Sequence, residues 1–128
     1  MSASTAIVAE RWMNRLRDAW LATDLEAAME LFRSTREYYE RPFAVTTEQS
    51  DIREFWKDLG SFTDPGFEFD ILAVDGPRGV VHISYSFTFP EAELSYLVDG
   101  VYVLDFDDDG DCVVFRQWWF AKENNSNA

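Results

Sequence analysis

The stretch that decides the fold is 97–120, LVDGVYVLDFDDDGDCVVFRQWWF, in which two apolar runs flank a short acidic segment. The runs Leu97–Phe106 and Cys112–Phe120 are rich in β-branched and aromatic residues, which favour strands. Between them, Gly110 can adopt a positive φ, and the aspartate side chains can bond to the turn backbone. The sequence therefore predicts a β-hairpin.

Two more strands are predicted upstream of this hairpin. Apolar residues alternate with polar ones from Phe67 to Ala73 and again, more regularly, from Val81 to Phe89. A period of two places one apolar face on each strand. The segment Asp75–Gly79, Asp-Gly-Pro-Arg-Gly, is typical of the turn between them, and 61–66 is predicted to be a loop.

Three helices are predicted before the strands. Ser4 or Thr5 can cap the first, Thr23-Asp24 the second, and Thr47 or Ser50 the third, which we expect to stop at Gly60. A short extended segment, 37–43, separates the second and third helices, since Pro42 disfavours helix before it. The predicted inward residues are Val8, Trp12, Leu16, Ala19 and Trp20 in the first helix, Leu25, Ala28, Met29 and Phe32 in the second, and Ile52, Phe55, Trp56 and Leu59 in the third.

Composition limits the classes of partner. The 128 residues predict one domain, 1–128, with an ordered core over about 5–122 and a polar tail, 123–128. Eleven Lys and Arg against 24 Asp and Glu give a net charge of −13, which opposes binding to nucleic acid and to anionic membranes. The chain lacks a basic, apolar leader pattern and any long apolar run, so we expect a cytoplasmic protein.

Reactive and metal-binding residues are few. Cys112 lies in an apolar strand, which favours an inert thiol, and strand alternation places the single histidine, His82, on the outer face. Asp105, Asp107 and Asp109 match the start of an EF-hand loop, but its twelfth position is an arginine, and strands flank it. The sequence therefore predicts no metal site and no cofactor.

Periodicity predicts an α+β domain in which a curved sheet wraps three helices. The segments TDLEAAMELF (23–32), YERP (39–42) and DIREFW (51–56), together with the hairpin, resemble the nuclear transport factor 2-like superfamily, which includes SnoaL-like domains and ketosteroid isomerases. The resemblance covers nearly the whole chain. It implies three N-terminal helices packed in the concave face of a strongly curved antiparallel or mixed sheet, a cone with an internal hydrophobic pocket.

The catalytic residues of ketosteroid isomerases are absent from the corresponding positions of this sequence. The position of the base, directly before the proline, is Arg41 here; the oxyanion-hole tyrosine falls on Leu16, and the protonated aspartate falls on Tyr102. Enolisation needs a base and donors aimed at the developing oxyanion. The resemblance therefore does not extend to isomerase activity, and the catalytic residues stay unassigned.

The resemblance also implies which side chains face the pocket. Four polar groups, those of Tyr39, Arg41, Tyr102 and Gln117, would converge on an aromatic cavity. Arg41 could bind a carboxylate or an enolate, or could instead pair with a neighbouring acid such as Glu40. The full set of expected pocket residues is Tyr39, Arg41, Phe55, Trp56, Tyr85, Tyr102, Phe115, Gln117 and Trp119.

The opposite face of the hairpin is a candidate interface. Val101, Val103, Arg116 and Trp118 would lie there, and a tryptophan beside valines is costly to leave in water, which predicts a homodimer. Packing of Trp118 under a terminal segment is the alternative.

These features lead to three functional hypotheses. The first is a SnoaL-like domain that binds a small hydrophobic or aromatic molecule in its internal pocket. The second is an enzyme of cyclase, hydrolase or dehydratase type acting on such a molecule, and the third is a protein-interaction adaptor that uses the outer sheet face.

Overall fold

A computed structural model describes residues 4–124 as three helices and one six-stranded sheet. In chain order the elements are α1 Thr5–Leu21, α2 Leu25–Leu31, β1 Glu37–Arg41, β2 Ala44–Thr46, α3 Gln49–Trp56, a 3₁₀ turn Leu59–Ser61, β3 Thr63–Asp75, β4 Arg78–Phe89, β5 Leu94–Phe106 and β6 Cys112–Glu123. Strand β6 extends one residue past the expected core. Of the predicted tail 123–128, residues 125–128 lie outside the described residues.

The first two helices begin at side-chain caps. The Ser4 hydroxyl accepts a hydrogen bond from the Ile7 amide, and the Asp24 carboxylate accepts one from the Ala27 amide, as predicted. The third helix differs from its prediction, because it follows Glu48 without a side-chain cap. It also ends at Trp56, four residues before the predicted stop at Gly60, which lies instead in the separate 3₁₀ turn.

The sheet is mixed and curved, with strand order β2-β1-β6-β5-β4-β3. Strands β1 and β6 are parallel, and all other neighbours are antiparallel. Strand β3 begins at Thr63, inside the predicted loop 61–66, because Thr63 and Gly66 already pair with β4 across a bulge. The predicted α+β architecture is confirmed.

The predicted β5–β6 hairpin is present. The Asp107 carboxylate accepts hydrogen bonds from the amides of Asp109 and Asp111, and Gly110 has φ = 82°. At Gly100 of β5, a Cβ atom would collide with the carbonyl oxygen of Trp118 in β6. A residue without a side chain is therefore required at that point.

The core lies between α1 and the concave face of the sheet. Helix α1 packs mainly on β3 and α2, and its buried residues are Ala9, Trp12, Met13, Leu16, Ala19 and Trp20. Phe32 is fully buried, and its ring centroid lies 5.2–5.5 Å from those of four other aromatic residues. Within residues 4–124, no helix is long and apolar enough to cross a membrane.

Candidate functional site

A cavity of about 230 Å³ opens between α1, α3, strand β1 and the C-terminal half of β4, with one lining residue each from β5 and β6. Most of its lining is aromatic, and the polar side chains that reach it are those of Tyr38, Glu40, Asp58, Tyr85, Tyr102 and Gln117. The apolar lining residues are Trp20, Phe55, Trp56, Leu59, Phe62, Phe87 and Phe89. An apolar hollow with a few convergent polar groups is the usual form of a small-molecule site.

Aromatic rings form one continuous wall of the cavity. The centroid of Trp20 lies 4.8 Å from that of Tyr85, 5.6 Å from that of Phe62 and 6.1 Å from that of Trp56. The Trp20 ring is held in place because its Nε1–H donates to the Ser86 carbonyl oxygen at 3.2 Å. Interlocked rings of this kind give a rigid, preformed apolar surface.

Glu40 supplies the carboxyl group of the site. The Tyr38 hydroxyl and the Gln117 amide both donate to its Oε2 atom at 3.1 Å. The Tyr38 oxygen in turn accepts a hydrogen bond from Trp56 Nε1–H at 2.9 Å. This chain of neutral donors fixes the carboxyl group and ties it to helix α3 through Trp56.

Strand β1 has a bulge at Glu40, the residue that lines the cavity. Tyr39 pairs with Val45, whereas Arg41 pairs with Ala44, so one extra residue, Glu40, is accommodated on β1. Parallel pairing with β6 sets Tyr38 beside the buried Phe115 and Tyr39 beside Arg116. Bulges re-aim side chains and are frequent next to functional sites.

Burial governs the acid–base properties of the site. Removal from water raises the pKa of Glu40, and the hydrogen bonds from Tyr38 and Gln117 and the charge of Arg41 offset only part of that rise. Burial also raises the pKa values of Tyr38, Tyr85 and Tyr102, and the nearby Glu40 charge adds to each rise. The phenols are therefore neutral donors, and Glu40 is a carboxyl group of the site whose pKa is raised.

The structure brings five of the nine predicted pocket residues to the cavity. Phe55, Trp56, Tyr85, Tyr102 and Gln117 line it. Phe55 sits at the rim with 47% of its surface exposed, whereas Tyr102 and Gln117 are buried.

Four predicted pocket residues lie elsewhere. Tyr39 is on the outer sheet face, where the Arg116 guanidinium stacks 5.4 Å from its ring centroid, and Arg41 is exposed at the sheet margin. Phe115 is fully buried in the core behind Tyr38, and Trp119 lies beyond the cavity with Nε1–H donating to the Glu40 carbonyl oxygen. The cavity wall on β1 therefore consists of Tyr38 and Glu40 in place of Tyr39 and Arg41.

Several lining residues were not in the predicted pocket set, and among them Tyr38 and Glu40 carry the hydrogen-bond network of the site. Strand β1 carries a tyrosine on each face, so alternation alone did not tell which face is inside. The available signal was the pairing partner, since Tyr38 lies beside the apolar Phe115 of β6.

The residues predicted for the outer face share one surface. Val101 pairs with Trp118 and Val103 with Arg116 across the two strands, and Trp118 is 46% exposed. Beside them, His82 Nε2 lies 3.0 Å from the Asp99 carboxylate, on the face that alternation predicts. Arg116 binds Asp105, a carboxylate that Arg78 also contacts and whose pKa is lowered by these two partners.

A second hollow, of about 500 Å³, lies at the opposite end of the fold. Arg11, Arg15 and Arg33 line one side of it, and the turn 107–111 lines the other. Arg33 is paired with Glu30 and Asp111. Opposite charges face each other across this open hollow, and it lacks the apolar enclosure of the Glu40 cavity.

A metal centre is not formed by the described part of the chain. No three His, Cys, Asp or Glu side chains within 4–124 converge on a common point. Asp107, at the start of the acidic turn, uses its carboxylate to close the turn backbone.

Comparison with solved structures finds proteins with a similar fold. The Δ5-3-ketosteroid isomerase from Mycobacterium sp. has a TM-score of 0.73 and 14% identity, over 95% of this chain and 100% of that one. The epoxide hydrolase/cyclase-like enzyme SalBIII, which acts in pyran ring formation in salinomycin, has a TM-score of 0.71 and 15% identity, over 91% and 90%. A putative scytalone dehydratase from Novosphingobium aromaticivorans has a TM-score of 0.71 and 14% identity, over 96% and 89%.

Sequence comparison assigns the family. No curated protein sequence matches the chain significantly. The identities to solved structures are low, so those similarities establish the fold alone. The sequence model of the SnoaL-like domain, however, matches residues 13–115, which is most of the chain. On this match, and with the helix and strand arrangement in agreement, the chain belongs to the SnoaL-like domain family.

Proposed function

We propose that the protein binds a small hydrophobic or aromatic molecule in the Glu40 cavity, with one polar group of the ligand held by Glu40, Gln117 or Tyr102. The observation that carries the proposal is an aromatic hollow of about 230 Å³ in which a fixed carboxyl group meets neutral donors. Rigid apolar walls give affinity, and the few polar groups give orientation.

The volume of the cavity limits the ligand. Sites for drug-sized ligands span about 300–1,000 Å³, whereas a dry cavity of about 150 Å³ accepts benzene. A hollow of about 230 Å³ suits a single ring with one small substituent. A steroid or another fused-ring molecule exceeds this volume and would extend beyond the opening of the cavity.

The test uses benzyl alcohol as the probe. Its binding to the protein is measured by calorimetry and by the fluorescence of Trp20 and Trp56, which line the cavity. Phe62→Trp fills part of the cavity and should weaken binding at least about tenfold, since overpacking removes the space for the ring. The control Phe120→Trp makes the same exchange at an 82% exposed position and should bind normally. Equal binding by both variants, or no binding by the parent protein, would refute the proposal.

Acid–base catalysis on such a molecule is the second candidate function. Burial raises the pKa of Glu40, and a carboxyl group with a raised pKa in an aromatic cavity is suited to transfer a proton. Similarity to an epoxide hydrolase/cyclase-like enzyme and to a putative dehydratase makes hydrolysis of a one-ring epoxide a reasonable first assay. Turnover of styrene oxide that is lost in Glu40→Gln would support catalysis, and absence of turnover in the parent protein would leave binding as the function.

A homodimer through the outer sheet face is proposed as well. The support is the exposed Trp118 next to Val101, beside Val103 and Arg116 on the same surface. Sedimentation equilibrium should give twice the 14.8 kDa chain mass, and Trp118→Glu should return the monomer. A monomeric parent protein would instead favour the adaptor hypothesis, in which another protein covers this face.

The cytoplasmic location stays a prediction, to be checked by imaging the tagged chain.

A further inference from the structure

The charge of the Glu40 cavity is the reverse of the one expected from the sequence. Glu40 and the exposed Asp58 are the two acidic residues that line the cavity, and none of its lining residues is Lys, Arg or His. Arg41, expected to point inward and bind an anion, is exposed instead. The electrostatic environment of a ligand in this cavity is therefore negative.

We infer that the cavity selects a small organic cation, an ammonium compound of about one ring, over neutral or anionic molecules of the same size. This inference rests on the proposal that the cavity is the binding site, and it adds the chemical class of the ligand. The support comes from the free oxygen of Glu40, the aromatic wall and the total charge of the chain.

The Glu40 carboxyl group has an oxygen left for a ligand. Both of its side-chain donors, Tyr38 and Gln117, bind Oε2, and no side chain among residues 4–124 donates to Oε1. Glu40 also forms no ion pair within the described chain, in contrast to Glu26, Glu30 and Glu54. No buried side-chain oxygen in the described chain lacks a hydrogen-bond partner, so Oε1 is not fully buried, and Glu40 is one of the residues that line the cavity. An ammonium N–H placed there would make a charge-assisted hydrogen bond.

The aromatic wall provides the second attraction. Tryptophan and tyrosine rings attract a cation within about 6 Å of the ring centroid through their negative faces. Trp20, Trp56 and Tyr85 all line the cavity, and the centroid of Trp20 lies 6.1 Å from that of Trp56 and 4.8 Å from that of Tyr85. A cation in this space is therefore close to several rings at once. An anion would face the same rings and the Glu40 charge, which both repel it.

The net charge of −13 also favours the binding of cations, at longer range than the cavity residues. A strongly negative protein raises the local concentration of cations and lowers that of anions. This effect is not specific to the cavity, so the test must separate a surface contribution from that of Glu40.

Three probes of nearly equal size separate charge from shape: benzylamine, which is a cation at neutral pH, benzyl alcohol, which is neutral, and benzoate, an anion. Their binding to the parent protein, Glu40→Gln and Glu37→Gln is measured by calorimetry at physiological salt. Glutamine keeps the oxygen that accepts from Tyr38 and Gln117, so the cavity geometry is retained, and thermal melting checks the fold. Glu37→Gln removes the same charge from an exposed position on the same strand.

We expect benzylamine to bind at least about tenfold more tightly than benzyl alcohol, the gain of one desolvated cation–π contact or charge-assisted bond, and benzoate to bind most weakly. Glu40→Gln should remove the preference for benzylamine over benzyl alcohol, and Glu37→Gln should keep it. If benzyl alcohol binds and benzylamine has no advantage, or if the advantage survives in Glu40→Gln, the cation inference is wrong while the binding site stands. If none of the three binds, the proposed function itself fails.

Discussion

Replacing Tyr38 by phenylalanine tests the hydrogen-bond chain that fixes Glu40. The substitution removes one buried hydroxyl and leaves the ring, which is stacked 4.9 Å from Phe115. Two hydrogen bonds are lost, the one donated to Glu40 and the one accepted from Trp56 Nε1–H. The effect therefore reports the polar network and not the packing of the core.

Its magnitude follows from these two bonds. A hydrogen bond to a charged group contributes about 1.5–3 kcal/mol and one between neutral groups about 0.5–1.5 kcal/mol, so Tyr38→Phe should lower the free energy of unfolding by about 2–4 kcal/mol at pH 7. The bond from Tyr38 lowers the pKa of Glu40, so its loss raises a pKa that burial has already raised. A carboxyl group with a raised pKa in the folded state contributes stability below its unfolded pKa and loses it as pH rises through the folded value. The loss of unfolding free energy in Tyr38→Phe, relative to the parent protein, should therefore be larger at pH 7 than at pH 4.

Urea unfolding at both pH values measures the effect. With an m-value of about 2 kcal/mol/M, the midpoint should fall by about 1–2 M urea at pH 7. Tyr39→Phe is the matched control, because its hydroxyl binds the exposed Glu37 on the other face of the strand, and it should change stability by less than about 0.5 kcal/mol. Equal effects of the two variants, or a deficit that grows toward pH 4, would refute the placement of Tyr38 and Glu40 at the cavity.

Three further predictions follow from burial and close approach. Phe32→Ala should lower the free energy of unfolding by about 3–5 kcal/mol, since the buried ring lies next to four other aromatic rings. Phe120→Ala, at an exposed position, should change the free energy of unfolding by less than about 0.5 kcal/mol. The urea midpoints of the two variants measure the difference. Glu40→Gln should melt at a higher temperature than the parent protein at pH 7 but not at pH 4, because it removes a partly buried carboxyl group whose pKa is raised. A variant that melts lower at pH 7 would contradict this. Gly100→Ala should lower the free energy of unfolding by about 1–3 kcal/mol, because the added methyl group collides with the backbone of Trp118. An unchanged urea midpoint would show that β5 and β6 do not approach so closely there.

The sequence alone determined the elements whose signals are local. The hairpin was predictable because its two apolar runs and the turn at Gly110 lie within a few residues of each other. Two helix starts were predictable from Ser4 and Asp24, since a cap acts on an amide three residues away. Such interactions need no knowledge of distant parts of the chain.

Only the tertiary structure decided the charge of the candidate site. Strand β1 is five residues long and carries Tyr38 on one face and Tyr39 on the other, so its pattern did not distinguish inside from outside. The choice was made by parallel pairing with β6, which sets Tyr38 beside Phe115, together with the bulge at Glu40. Because side chains alternate along a strand, a shift of one residue exchanges every inward side chain for an outward one. That exchange replaces Arg41 by Glu40 at the cavity, and a contact between residues about 80 positions apart in the sequence thereby sets the sign of the charge that a ligand meets.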